Sequence, residues 1–210
     1  MPHSDVVNDS LRRARAVLLV MSASVLVACG TLSKEECLTA DWDAIGERDG
    51  AAGYAPQSRL AGHAKACAKA GVSPDQVLWR AGFERGLTRY CTPQSGLHAG
   101  ESGGSYNNVC PVATEAEFLA AFNVGKAAHR ARSDLDRAKR AVESKQREVT
   151  DKLKSFAGMT DAQRIAAQYD IAELNSQILE HQGDILRLSA EVARADQAVA
   201  NYRQTLLNRE

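Results

Sequence analysis

From Ile171 to Leu206 an apolar residue recurs every seventh position: Ile171, Ile178, Ile185, Val192, Val199 and Leu206, with Leu174, His181, Leu188, Ala195 and Tyr202 at the intervening d sites. Six consecutive a positions of this kind commit the stretch to a coiled-coil helix, because a 3.5-residue repeat keeps one seam turned toward a partner. A weaker frame runs upstream through Ala128, Ala131, Leu135, Ala138, Val142, Lys145, Val149, Lys152 and Phe156. Between the frames, Gly158 breaks the helix and Thr160 supplies an N-cap for the next one. Two seams joined by so short a break predict an antiparallel hairpin within one chain. If Gly158 is its midpoint, Ala128 faces Leu188, Ala131 faces Ile185, Ala138 faces Ile178 and Val142 faces Leu174. Small residues then meet large ones and the layers interdigitate. His181, at a d site, reads as a polar core residue that sets register rather than as a ligand.

The chain changes character at Pro111. Residues 30–111 hold twelve of the fifteen glycines, four of the five prolines and both tryptophans, whereas residues 112–210 have no proline and only Gly125, Gly158 and Gly183. The expected organisation is all-α: a signal peptide over 1–28, a small helical module over 29–111, and the coiled-coil hairpin over 112–210. Helices are predicted near 34–52, 58–70 and 74–90. Ser33 and Glu36 form a capping box, Gly71 stops the second helix, and Ser73 with Pro74 starts the third. The first two make a hairpin through a turn at 53–57, and a glycine-rich loop spans 92–109.

Within the module, Trp42, Gly46, Gly50 and Tyr54 are nearly repeated by Trp79, Gly82, Gly86 and Tyr90. Weaker echoes are Leu97, Gly100 and Gly104, then Phe122, Gly125 and His129. Spacings of three and four put each set on one helical face, with bare backbone between two rings. Each glycine costs about 0.5–1 kcal/mol in a helix relative to alanine, so such a stripe implies a contact that a side chain would block. The first reading is close helix packing. The second is a binding face for peptidoglycan or another envelope component, using Trp42, Tyr54, Trp79 and Tyr90.

Arg12, Arg13 and Arg15 precede the apolar run 17–28, whose twelve residues suit a signal h-region and are too few to span a bilayer. The run closes on Leu26-Val27-Ala28-Cys29-Gly30, which resembles the lipobox of bacterial lipoproteins. That resemblance implies cleavage before Cys29, acylation of its thiol and attachment to a membrane through the acyl chains. Gly30, where aspartate would signal inner-membrane retention, implies the outer membrane, facing the periplasm. The alternative is cleavage after Ala23 or Ala28 to release a soluble protein.

With Cys29 assigned to lipid, Cys37, Cys67, Cys91 and Cys110 remain, an even set that reads as two disulfides in an oxidising compartment. Four cysteines allow three pairings. The expected helix hairpin brings Cys37 to Cys67, and Cys91 with Cys110 would staple the loop between them. Gaps of 30, 24 and 19 residues do not suit zinc, so no metal and no cofactor is expected. The 26 basic and 26 acidic side chains balance over the whole chain, which argues against a nucleic-acid partner.

Lys34-Glu35-Glu36-Cys37-Leu38, Asp41-Trp42, Ile45-Gly46, Asp49-Gly50, His63-Ala64-Lys65-Ala66-Cys67, Tyr90-Cys91-Thr92-Pro93, Ser102-Gly103, Tyr106 and Val109-Cys110-Pro111 together resemble the bacterial lipoprotein family of domain of unknown function 2799. The resemblance covers about residues 31–130. It implies an envelope lipoprotein with a helical extension and implies no activity. His63, His98, His129 and His181 are scattered, and Glu47 with Asp49, two apart on a helix, reads as solvated surface rather than an acid/base pair. The sequence is expected to be that of a non-enzymatic, lipid-anchored interaction or scaffolding protein whose partner is an envelope protein or a cell-wall component. Its oligomeric state is left open, and an enzyme with dispersed residues is the more remote reading.

Overall fold

The computed structural model describes residues 32–208, so the expected signal peptide, Cys29 and Gly30 lie outside the described residues. Seven α-helices and no strand occur among them: α1 Lys34–Leu38, α2 Trp42–Ala51, α3 Pro56–Cys67, α4 Gln76–Tyr90, α5 Pro93–Glu101, α6 Val112–Ser155 and α7 Asp161–Leu207. The Ser33/Glu36 capping box opens α1, and Gly71, at φ 71°, ends the 3₁₀ turn that extends α3.

The expected helix over 34–52 is two helices. Asp41 accepts from the Ala44 N–H and starts α2 afresh, so the chain turns between α1 and α2. The helix expected from Ser73 and Pro74 starts later: Asp75 is the N-cap, accepting from Val77 and Leu78, and α4 begins at Gln76. The expected loop over 92–109 contains a helix. Thr92 caps α5, Pro93 occupies its first turn, and only the stretch from Ser102 to Pro111 connects it to α6.

Glycines set the packing. A Cβ built on Gly46 would lie 1.9 Å from the Trp79 carbonyl oxygen, and one on Gly50, a turn later, 2.1 Å from that of Phe83. Reciprocally, Gly82 meets Asp43 and Gly86 meets Glu47. The contacts advance together along both helices, so α2 and α4 run parallel with backbones touching. The same arrangement recurs in α5 and α6, where Gly96 abuts Phe118, Gly100 abuts Phe122, and Gly125 abuts Leu97. This explains why α5 forms although it has few large apolar residues: backbone contact holds it, where side-chain bulk could not.

One core cluster unites Trp42, Ile45, Trp79, Phe83, Leu87 and Tyr90 with Phe118 and Phe122 of α6. Composition changes at Pro111, but packing does not; the first turns of α6 belong to the module core. Leu97, Ala121, Ala128 and Val199 form a second cluster that joins α5, α6 and α7 at the base of the hairpin. Beyond it α6 and α7 pair as an antiparallel arm, with Thr160 and Gln163 making a capping box at the start of α7.

The arm's register is one heptad away from the expected one. Leu135 and Ala138 cluster with Ile185, Leu188 and Val192, so Ala138 does not face Ile178. Lys145 donates to Gln177, and Lys152 to Asp170 at 2.7 Å, which agree with the shifted register. A seam of period seven is unchanged by a slip of seven residues, and the choice rested on Gly158 as midpoint. In the structure α6 continues as a 3₁₀ turn, Phe156–Gly158, and the extended Met159 and Thr160 follow. The first turn of α7 therefore stands beyond the end of α6. His181 lies half-buried along this seam.

Candidate functional site

The densest polar arrangement in the module is buried. Asp49 sits on the inward face of α2, one and two turns from Ile45 and Trp42, and is 2% exposed. Its Oδ1 accepts from Arg59 Nε at 2.7 Å. Its Oδ2 takes His63 Nε2 at 2.7 Å and Trp79 Nε1 at 2.9 Å. Arg59 and His63 lie four apart on α3 and so share a face, while Trp79 projects from the first turn of α4. Burial alone would push the Asp49 carboxyl up, but the hydrogen bonds from His63, Arg59 and Trp79 outweigh it and hold the carboxyl below the usual carboxylate range.

This geometry ties three helices to one carboxylate. Because a carboxylate only accepts, the His63 Nε2 must carry the hydrogen it shares, and a neutral ring is then the Nε2–H tautomer. Its Nδ1 is buried without a hydrogen-bond partner, and the ring edge meets Trp42 at a centroid distance of 6.2 Å. Among the described residues no serine hydroxyl or cysteine thiol is poised at the imidazole, and His63 is 2% exposed. The cluster is arranged as a structural brace. Asp49 thus corrects the expectation of solvated surface. Glu47, two residues earlier, does point outward and pairs with Arg85 and Arg89 across the α2 and α4 contact.

The four aromatic residues expected to rim a binding face are placed otherwise. Trp79 is wholly enclosed, and Trp42 and Tyr90 are buried at 7% and 9% exposure. The bare glycine backbone between them is covered by the partner helix. Tyr54 alone is exposed, with the Arg59 guanidinium 4.2 Å above its ring. These faces are consumed by packing, as the first of the two sequence readings holds.

Cys37 is bonded to Cys67 and Cys91 to Cys110. The first joins α1 to the end of α3. The second closes the α5 segment against the start of α6, where Tyr106 accepts from the Cys110 N–H and donates to Glu115 at 2.8 Å. At the base of the arm Glu101 receives Arg203 at 2.7 Å, and Arg132 reaches Asp196 at 2.6 Å. His129 fills the space under Gly103, whose φ of 73° and lack of Cβ leave room for the ring. Two open grooves flank His98. One, of about 610 Å³, is lined by Tyr90, Gln94, Ser95, His98 and Ser102; the other, of about 470 Å³, by Leu97, His98, Glu101 and Arg203. Sequence spacing could not join these residues, because α5 was read as loop. Among the described residues no group of three or more His, Cys, Asp or Glu side chains could hold a metal ion, and no helix is long and apolar enough to cross a membrane.

Residues 41–127 match a family model described as a protein of unknown function, DUF2799. The matched span begins at the N-cap of α2 and ends four turns into α6, so it takes in both glycine-packed helix pairs and stops where the arm leaves the core. Neither the curated proteins nor the solved structures give a match to the chain.

Proposed function

Starting from a DUF2799 domain at residues 41–127, we propose that the chain is a lipid-anchored cell-envelope protein that acts by interaction or scaffolding, its module seated at the membrane and its arm reaching away. The observation that carries this reading is the continuity of α6. Phe118 and Phe122 root the helix in the module core, and the same 44-residue helix becomes one half of the arm. At 1.5 Å per residue it extends about 66 Å. An arm rooted in this way transmits position from one end of the molecule to the other.

The lipobox-like Leu26-Val27-Ala28-Cys29 supports the anchor. Leu32 packs on the module core, and three residues of extended chain span at most about 11 Å, so an acyl group on Cys29 would hold the module at the bilayer surface. Two acyl chains anchor firmly where one is marginal. The two disulfides support an oxidising compartment. In cells, Cys29→Ala should abolish palmitate labelling and release the protein from outer-membrane fractions. Photo-crosslinking residues placed on the exposed arm at Leu153 should capture an envelope partner, while the same group at Leu38 on the module should contact lipid. Normal membrane fractionation of the Cys29→Ala chain would overturn the anchor, and recovery solely with the inner membrane would overturn the sorting.

A further inference from the structure

Helix α5 turns one face to a groove. Gln94, Ser95, His98, Ala99 and Ser102 recur there at spacings of three and four, and Ala51 and Ala52, at the end of α2, line the same groove with Tyr90. It holds about 610 Å³, the size of a small-molecule cleft. The ring of Tyr90 is fixed by packing: Phe118 lies at a centroid distance of 5.0 Å, and a Cβ on Gly53 would fall on the ring at Cζ. The hydroxyl end therefore lies beside the turn from Ala52 to Gly53, at the groove. Among the described residues this hydroxyl makes no hydrogen bond, and His63 Nδ1 is the only side-chain polar atom that is both unbonded and fully buried. Tyr90 is 9% exposed, so its oxygen is the part left open to the groove. The core uses the ring and gives the oxygen no task.

The other lining groups define what that oxygen meets. Ser95 spends its hydrogen on the Arg89 carbonyl at 3.0 Å and Ser102 on that of His98 at 2.9 Å, so each offers the groove only lone pairs. A ligand must bring N–H or O–H groups to the serines and an acceptor to the Tyr90 hydroxyl and the Gln94 amide. No lysine, arginine, aspartate or glutamate lines this groove, so nothing there balances a ligand charge. Ala51, Ala52, Ala99 and Gly104 end at Cβ or before it and suit a methyl group or a flat C–H face. The groove on the other side of His98 differs, because its Glu101 and Arg203 already neutralise each other. We propose that the groove beside Tyr90 binds a neutral sugar carrying an acetamido group. The acetamide supplies in one planar unit an N–H for a serine oxygen, a carbonyl for Tyr90 or Gln94 and a methyl for the alanine wall. A plain hexose lacks two of the three, and a phosphorylated sugar finds no cation. This site does not depend on the anchor at Cys29.

The test titrates the full chain carrying Cys29→Ser, with both disulfides formed, against the β-1,4-linked dimer of N-acetylglucosamine while backbone amide NMR signals are followed. Those of Ala52, Ala99 and Ser102 should shift saturably, and those of Ala172 and Leu186 on the arm should not. Cellobiose, the same dimer with hydroxyls in place of the acetamido groups, should bind about tenfold more weakly. Tyr90→Phe should weaken binding of the N-acetylglucosamine dimer about three- to tenfold, the worth of one hydrogen bond, and leave Tm unchanged because the oxygen bonds to nothing in the chain. Absence of saturable shifts in the groove at the solubility limit of the dimer would overturn the proposal. Equal affinity for cellobiose would overturn it too, as would tighter binding of N-acetylglucosamine 1-phosphate than of N-acetylglucosamine. Cosedimentation with purified cell-wall sacculi, lost with Tyr90→Phe, would place the sugar in the wall glycan; dimer binding without cosedimentation would place it in a soluble or lipid-linked glycan.

Discussion

Replacing Gly82 with alanine sets two effects against each other, and the structure decides the sign. In a helix interior the exchange gains about 1 kcal/mol of propensity. At Gly82, however, the new Cβ would lie 1.9 Å from the Asp43 carbonyl oxygen and 2.9 Å from the Glu47 nitrogen, where ordinary contact begins near 3.4 Å. The obstructing atoms are backbone, so no rotamer change can clear them; α2 and α4 must part by about 1.5 Å. Parting them also lifts Gly46, Gly50 and Gly86 from their partners and draws Trp79 away from Asp49. Overpacking costs about 1–3 kcal/mol where side chains can yield, and more where they cannot. Net destabilisation of about 2 kcal/mol follows, or roughly 4–8 °C in Tm for a chain of this size. Gly62, in the middle of α3, has nothing within 4 Å of its added Cβ, so Gly62→Ala should instead raise Tm by roughly 2–4 °C. Thermal unfolding followed by circular dichroism under non-reducing conditions measures both. Should Gly82→Ala raise Tm as Gly62→Ala does, backbone contact is not what limits this position.

The brace at Asp49 should show in acid. Its carboxyl is depressed in the folded chain, so its stabilisation is complete above the usual carboxylate range and declines as pH falls through the folded value. Asp49→Asn should cost about 1–3 kcal/mol near neutral pH, and the gap between the two urea midpoints should narrow below about pH 4; a constant gap would count against the brace. Cysteines at Ala138 and Ile185 should oxidise to an intrachain disulfide, whereas cysteines at Ala138 and Ile178, displaced by about 10 Å along the axis, should not. Reversal of that pattern would restore the register centred on Gly158. Cys91→Ser with Cys110→Ser opens a loop of about 20 residues and should cost roughly 3 kcal/mol, read as a fall in denaturant midpoint together with a larger m, because the unfolded chain freed of the crosslink exposes more surface.

Features governed by local chemistry were legible in the sequence: the Ser33 and Thr160 caps, the stop at Gly71, the heptads of α7 and the use of glycine stripes as close helix contacts. Disulfide pairing was legible too, because it followed from placing Cys37 and Cys67 near opposite ends of a hairpin. Features that depend on which faces meet were not. Asp49 looks like any helix-surface acid until α3 and α4 bring three donors to it, and Trp42, Trp79 and Tyr90 look like a ligand rim until the facing helix closes over them. Helix α5 was hidden because its stabilisation lies in backbone contact at Gly96 and Gly100, which leaves no apolar periodicity behind. The arm's register was hidden by its own regularity.

The two disulfides are consecutive in the chain: neither nested nor crossed, each joins a cysteine to the next one along. A polypeptide threaded through a pore N-terminus first presents its thiols in that order. Joining each to the next arrival yields the native set, and Cys67 is spent before Cys91 emerges. Cys29 alone would upset the count, by offering Cys37 a premature mate. A thioether to lipid at Cys29 removes that competitor, so the proposed anchor would also act as a protecting group, sparing the chain a round of thiol–disulfide exchange.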